Sequence, residues 1–269
     1  MEKPKKFRQL VGWMAAGLAA VLLSSIAPPG ECGPTRVRGL ITEDAVWSQE
    51  QGPYIVESTV TIPVGRVLTI QRGTVVKFAL GAGMVVEGEL NGAGTADLPV
   101  VFTSLQDDSV AGDTNGDGGA SQPKPGGWND VYFAPRSRGR LEHCIFKYGG
   151  SGSQLAGTSH FALGCVACEN SSPSLSNCEF TDSATNGFYA LTASPVLTGC
   201  SFRRNGRHGV MLDNSASAVE NCRFADNAEY GLWLDDVSAA SGGKVLGCSF
   251  SGNKAGVSAS PSAVVLAQN

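Results

Sequence analysis

Three groups of side chains in this chain have the types and spacing to do chemistry. The first is the run Asp107-Asp108-Ser109-Val110-Ala111-Gly112-Asp113-Thr114-Asn115-Gly116-Asp117-Gly118. Within it, Asp113-x-Asn115-x-Asp117-Gly118 matches the first half of a calcium loop, in which alternate oxygens converge on one ion and glycine permits the sharp turn. The second half departs from that pattern, because Lys124 stands at the twelfth position, where a bidentate glutamate belongs. Asp107 or Asp108, folding back, would have to supply the missing oxygens. The alternative is a solvated acidic loop, since Asp, Asn and Gly are ordinary turn residues. Ca2+ is therefore a candidate ligand of Asp113, Asn115 and Asp117, with Asp107 and Asp108 in reserve, and no cofactor is required.

The second group is Tyr189, Met211 and Trp233, which are equally spaced, with Asp213 and Asp235 two positions after the last two. Side chains two apart on a strand share a face. Aromatic rings beside carboxylates suit sugars, which offer apolar C–H faces and hydroxyl edges, and an exposed apolar patch often marks a binding site. The alternative is a stripe covered by a loop or partner, because strands favour aromatics for packing alone. The third group is Arg203-Arg204-Asn205-Gly206-Arg207-His208. Arg203 and His208, taken with Asp213 and Asp235, make a weak catalytic candidate. Glycosidases need two carboxylates at a set separation, and Asp235-Asp236 is the nearby acidic pair. An exposed corner between strands explains the basic run equally well. His143 and His160 have no partner pattern.

These residues ride on a repeat. Cys178-Glu179-Phe180, Cys200-Ser201-Phe202 and Cys222-Arg223-Phe224 follow one another at a constant step, and Cys248-Ser249-Phe250 comes after a slightly longer one. Leu or Val stands three before each Cys, Asn or Gly one before, Ser or Asn five after, and Gly eight or nine after. His143-Cys144-Ile145-Phe146 fits the same template, with a surplus beyond one repeat falling around Gly149-Gly150-Ser151-Gly152-Ser153. Period-2 alternation means strand. Asn or Gly before Cys suits a left-handed corner. Such a unit cannot bury its apolar face alone, so the units stack into a parallel β-solenoid with internal ladders of Cys, Phe and Asn. On this alignment the Cys165-x-x-Cys168 pair is not a metal or redox motif: Cys168 falls on a core position and Cys165 on a bend. Buried free thiols are the expected state of the ladder, with a local disulfide as the alternative.

The pattern resembles the right-handed parallel β-helix repeat proteins. The resemblance reaches upstream through Gly65-Arg66-Val67-Leu68-Thr69-Ile70, Gly73-Thr74-Val75-Val76-Lys77-Phe78 and Pro99-Val100-Val101-Phe102, and takes in Gly127-Trp128-Asn129-Asp130-Val131-Tyr132-Phe133. It covers roughly residues 41 to 269. It implies an all-β, right-handed, single-stranded parallel β-helix (solenoid) with a coil of about 22 residues. In β-helix polysaccharide lyases an Arg or Lys base works beside calcium-bound carboxylates. Gly206-Arg207-His208-Gly209 is similar to a fragment of the Gly-His-Gly element of β-helix pectin hydrolases, with an Arg intruding. The fold alone does not fix an activity.

Residues 1–27, with Lys3, Lys5, Lys6 and Arg8 ahead of an uncharged run, read as a signal peptide or N-terminal anchor. Cys32 is a weaker lipoprotein signal. Loss of residues 1–27 removes four basic residues and Glu2 and takes the formal charge from −4 to −7. That acidic balance speaks against nucleic acid as a partner. A membrane contact is expected only through the N-terminal segment if it is uncleaved. The organisation expected is a linker over 28–40, a cap and first coils over 41–106, an acidic insertion over 107–127 and repeats over 128–269. Asn269 stops just short of the next expected Cys, which suggests a truncated solenoid. The functional expectation is an exported, secreted or surface scaffold (or a periplasmic one), non-catalytic, that binds polysaccharide or other cell-surface material. A polysaccharide lyase, hydrolase or epimerase-like enzyme is the alternative, and a segment of a larger adhesin is a further one.

Overall fold

The computed structural model describes residues 33–235, 243–259 and 267–268. The sequence expectations for residues 1–27, Cys32, Asp236 and Asn269 lie outside the described residues. Strands account for nearly all the regular structure, and every named strand pair is parallel. The chain winds through three walls per coil. One wall is a nine-stranded sheet running from Ala45–Trp47 to Ala267–Gln268. The other two belong to a 16-stranded sheet and are joined by Tyr54–Ile62, whose first half pairs with Val75–Phe78 and second half with Met84–Val86. We call these two the phenylalanine wall and the outer wall.

The repeat sets the register residue for residue. Phe146, Phe180, Phe202, Phe224 and Phe250 align across consecutive strands of the phenylalanine wall. Their rings stack inside the coil at centroid separations of 5.1, 4.8, 5.1 and 4.9 Å. The stack continues through Phe102 and Phe78 to Trp128, whose indole N–H donates to the Lys147 carbonyl. Offset aromatic pairs add to the area term of burial.

Two corners explain the polar part of the repeat. His143, Asn177, Gly199, Asn221 and Gly247 all have left-handed φ between 48° and 64°, the conformation expected of the position before Cys. At the second corner Asn205 Nδ2 donates to Asn227 Oδ1 and Asn227 Nδ2 to Asn253 Oδ1, both at 2.8 Å. The same amides donate to the carbonyls of Phe180 and Phe202, so corner backbone that would otherwise be buried unpaired is satisfied. Gly187, Gly209 and Gly231 are needed for space rather than for dihedral freedom. A Cβ on Gly187 would come within 2.7 Å of the Gly209 carbonyl, and one on Gly209 would meet Gly231 in the same way.

The seven described cysteines are free. Cys178, Cys200 and Cys222 each donate S–H to the carbonyl two positions back and to a Leu carbonyl one coil below. Cys165 and Cys168 are buried, and burial pushes the Cys165 thiol up to about 12 and Cys168 up as well. Neither is a thiolate at neutral pH. The stack begins earlier than the sequence suggests: Thr35–Leu40, inside the stretch expected as a linker, is a strand that pairs with Tyr54–Ile62.

Candidate functional site

The outer wall carries two outward columns. In register along the first stand Val85, Tyr132, Ala167, Tyr189, Met211, Trp233 and Ser258. Two positions further along each strand but the last come Glu87, Ala134, Glu169, Leu191, Asp213 and Asp235. The columns are linked diagonally from one coil to the next. Tyr132 Oη donates to Glu169 at 2.9 Å, and Tyr189 Oη to Asp213 at 3.3 Å. Burial, reinforced by the carboxylate, raises both phenols, so both remain donors. Where the first column has no hydroxyl, the diagonal neighbour is apolar: Val85 with Ala134, and Ala167 with Leu191. Met211 with Asp235 breaks this rule.

The sequence expectation of one exposed stripe is corrected here. Tyr189 is only 8% exposed and packs with Leu155, Tyr132, Val85 and Ala167. The physical cause is the surplus segment after Gly149. It turns back on itself through a Gln154–Phe161 bridge and lays the buried Leu155 against the wall. His160 holds it down: the imidazole stacks on Tyr132 at 3.8 Å between centroids, and Nε2 lies 2.7 Å from Asp130 Oδ2. Asp130 is fully buried, its other oxygen has no partner among the described residues, and burial raises its pKa. Sequence reading missed this pair because its members are more than one coil apart along the chain and His160 matches no motif.

Met211 and Trp233 remain partly exposed beyond the loop. His208 is buried beside Trp233 and Tyr230, its ring 5.5 Å from the first and 5.4 Å from the second. Its Nδ1 accepts the Tyr230 N–H, and Nε2 lies 3.3 Å from Glu229. Burial lowers its pKa to about 4, so at neutral pH it is an uncharged ring that donates through Nε2. Asp235, half-buried, has no side-chain partner among the described residues.

Arg203 does not join this cluster. It lies on the phenylalanine wall, paired through Nε and Nη2 with Glu179. The left-handed Arg204 and the buried Asn205 turn the chain between Arg203 and His208. Arg203 lines a separate groove of about 310 Å3 with Lys147, Tyr148, Glu179, Asp182 and Arg204, in which Arg204 pairs with Asp182 at 2.8 Å. The grouping of Arg203 with His208, Asp213 and Asp235 on one face is thereby corrected.

The acidic insertion folds over the phenylalanine wall. Lys77 and Lys147 stand in one outward column, separated by Thr103. Lys77, fully buried, donates to the Gly112 carbonyl at 2.7 Å, and Lys147 pairs with Asp107 at 2.7 Å. Burial works to raise Asp107, but hydrogen bonds from Lys147, Ser109 and Thr103 outweigh it and leave the carboxyl below its ordinary value. Asp107 is thus committed to the wall. The Asn115 amide donates to Asp117 and Ser121. The carboxylates of Asp108, Asp113 and Asp117 do converge, each with an oxygen within 4.8 Å of the others. Backbone N–H groups of Gly116 and Gly118 hold Asp113, and those of Gly119, Ala120 and Ser121 hold Asp117. One oxygen of Asp108 and the Thr114 hydroxyl are buried without partners among the described residues. The donor set therefore fits a hard cation at Asp108, Asp113 and Asp117, rather than at Asn115 or Asp107.

The family model for the right handed beta helix region matches residues 124–269. The chain belongs to the right-handed β-helix family. Among solved structures, this β-helix is similar to a mutant form of the periplasmic alginate epimerase AlgG, at 12% identity over 87% of this chain and 76% of that one, with a TM-score of 0.35. It is also similar to the A-module of an Azotobacter vinelandii mannuronan C-5 epimerase, at 12% identity over 87% of this chain and 80% of that one, with a TM-score of 0.21. Similarity at this level carries no information on chemistry. No curated protein matches the chain.

Proposed function

We propose that this β-helix is an exported, non-catalytic scaffold that binds glycan on the part of its outer wall left uncovered by the loop. The observation that carries the reading is the cluster of His208, Met211, Tyr230 and Trp233 beside Asp235, which has no side-chain partner among the described residues. It combines a platform for a sugar's C–H face with an acceptor for its hydroxyls. The enzyme alternative is less favoured. Its base candidates are engaged elsewhere, Arg203 by Glu179 on another wall and His208 by the Tyr230 N–H.

The test is affinity electrophoresis against a panel of soluble polysaccharides, with reaction products assayed in parallel. Retardation without turnover, lost in Trp233→Ala, supports the scaffold. Release of unsaturated uronides from uronic-acid polymers, or epimerised residues in them, overturns it in favour of the enzyme. Export is tested by cell fractionation, in which the protein is expected outside the cytoplasm.

Calcium belongs to the same proposal as an ancillary ligand at Asp108, Asp113 and Asp117. When bound it would supply positive charge to the acidic loop and satisfy the buried Asp108 oxygen. A chelator is expected to lower the melting temperature, and Asp113→Asn to abolish that difference. A melting temperature indifferent to chelator and to added calcium removes the metal from the proposal.

A further inference from the structure

The diagonal pairing along the outer wall is a matching rule with one exception. Val85 meets Ala134, Tyr132 meets Glu169, Ala167 meets Leu191 and Tyr189 meets Asp213. In each pair a hydroxyl faces a carboxylate, or an apolar side chain faces another. In the fifth pair the thioether of Met211 stands where a phenol would have to stand to reach Asp235. A carboxylate half-withdrawn from water and left without a donor costs free energy, and a donor brought by a ligand recovers it.

The charge around this place selects the ligand. Among the described residues, the two outward columns hold Glu169, Asp213 and Asp235 from the strand of Glu169 to that of Ser258, and no cation. Asp213 and Asp235 are register neighbours on adjacent strands. At the adjoining corner Arg207 lies 3.9 Å from Glu229, and the Lys254 backbone N–H donates to the Glu229 carbonyl from the next coil. Glu229 thus makes a fourth described carboxylate, and Arg207 is the cation paired with it. His208, which could have brought another positive charge, is held neutral by its burial. A polymer that carries a carboxylate on every ring meets repulsion here, whereas a neutral sugar meets only acceptors and ring faces.

We propose that the part of the outer wall left uncovered by the loop is a subsite for a neutral polysaccharide, in which a sugar hydroxyl donates to Asp235 from the position that a tyrosine hydroxyl fills on the earlier coils. The sugar ring lies against Trp233 and Met211. This rests on the glycan-binding reading above and narrows it to uncharged polymers, against uronates.

The experiment is affinity electrophoresis at low ionic strength of the full chain and two variants. The gels contain β-glucan, galactomannan or xylan on the neutral side, and alginate or polygalacturonate on the acidic side. The wild type is expected to be retarded by at least one neutral polymer and by neither uronate polymer. Met211→Tyr supplies the missing phenol from within the protein and is expected to lose about tenfold or more in affinity for the neutral polymer. Asp235→Asn keeps an acceptor oxygen and removes charge, so it is expected to retain neutral binding and relax the exclusion of uronates. Retardation of the wild type by uronates equal to or stronger than by neutral polymers overturns the subsite while leaving glycan binding intact. Unchanged affinity in a folded Met211→Tyr variant does the same. No retardation by any polymer removes the glycan reading itself, and the subsite with it.

Discussion

The two halves of the outer wall are built on one register and treat it differently. Under the 151–163 loop, the column is sealed by Leu155 and His160, and each tyrosine hydroxyl is matched to a carboxylate. Beyond the loop, Met211 and Trp233 are partly exposed and Asp235 is unmatched among the described residues. Backbone geometry is common to both halves, so the difference is entirely one of side chains and of one insertion. Repetition makes the wall, and departures from repetition make places on it.

The sealed half has the larger stake in stability. His160→Ala would leave Asp130 buried with neither oxygen paired, and removal of one member of a buried pair costs about 3–5 kcal/mol. Denaturant unfolding should show that loss. The double variant His160→Ala with Asp130→Asn should recover part of it, because the stranded charge is gone. Equal losses in the single and double variants would mean that the stranded charge contributes nothing and that the loss is that of the His160–Tyr132 stack.

The open half has the larger stake in pH. His208 is neutral in the fold with a pKa of about 4, against an ordinary value of 6.5. The unfolded chain therefore binds a proton in a window where the folded chain does not. Stability is full above about pH 6.5 and falls as pH drops towards 4, by up to about 3 kcal/mol. Asp130, raised by burial, shifts stability in the opposite direction. The difference between wild type and His208→Phe isolates the histidine, and its slope between pH 6.5 and 4 should flatten in the variant.

The hydroxyl matching gives a smaller and more direct contrast. Tyr189→Phe removes a donor from Asp213 and should cost about 1.5 kcal/mol or more, whereas Met211→Phe removes only the long 4.0 Å contact from the Asn186 amide to the thioether and should stay within about 1 kcal/mol of wild type. A similarly small stability effect is expected from Trp233→Ala, about 1 kcal/mol through its stacking on His208. On the proposal of glycan binding, that variant should lose retardation by polysaccharide while it stays folded, which would separate the role of the open half from that of the sealed one.

The repeat, the corner dihedrals, the Phe stack and the Asn ladder were all legible in the sequence, because each is a property of one position copied from coil to coil. What escaped sequence reading is what happens once. The 151–163 loop shows only Gly and Ser signals, so nothing local says that Leu155 and His160 fold back over the outer wall. The acidic run read as either a calcium loop or a solvated loop, and neither reading places Asp107 on Lys147, which is far away in sequence and adjacent in space. A signal for the insertion's docking was present: Lys77 is a charged residue between the strand residues Val76 and Phe78, and the structure buries it completely under the insertion. Gly187 and Gly209 were legible as a constant spacing within the repeat, but their reason, the carbonyl of the next coil passing within 2.7 Å of a Cβ, needs coordinates.

Equal coil length has one more consequence. Excision of residues 201–222 would splice Cys200 to Arg223 and leave all three walls continuous, since the units on either side share one register. Tyr189 would then neighbour Trp233, with Asp235 taking the diagonal place of Asp213. The left-over acid would be neutralised as a hydrogen-bond acceptor simply by shortening the molecule. In such a protein, the number of turns, and not only their residues, decides whether a berth for a ligand exists.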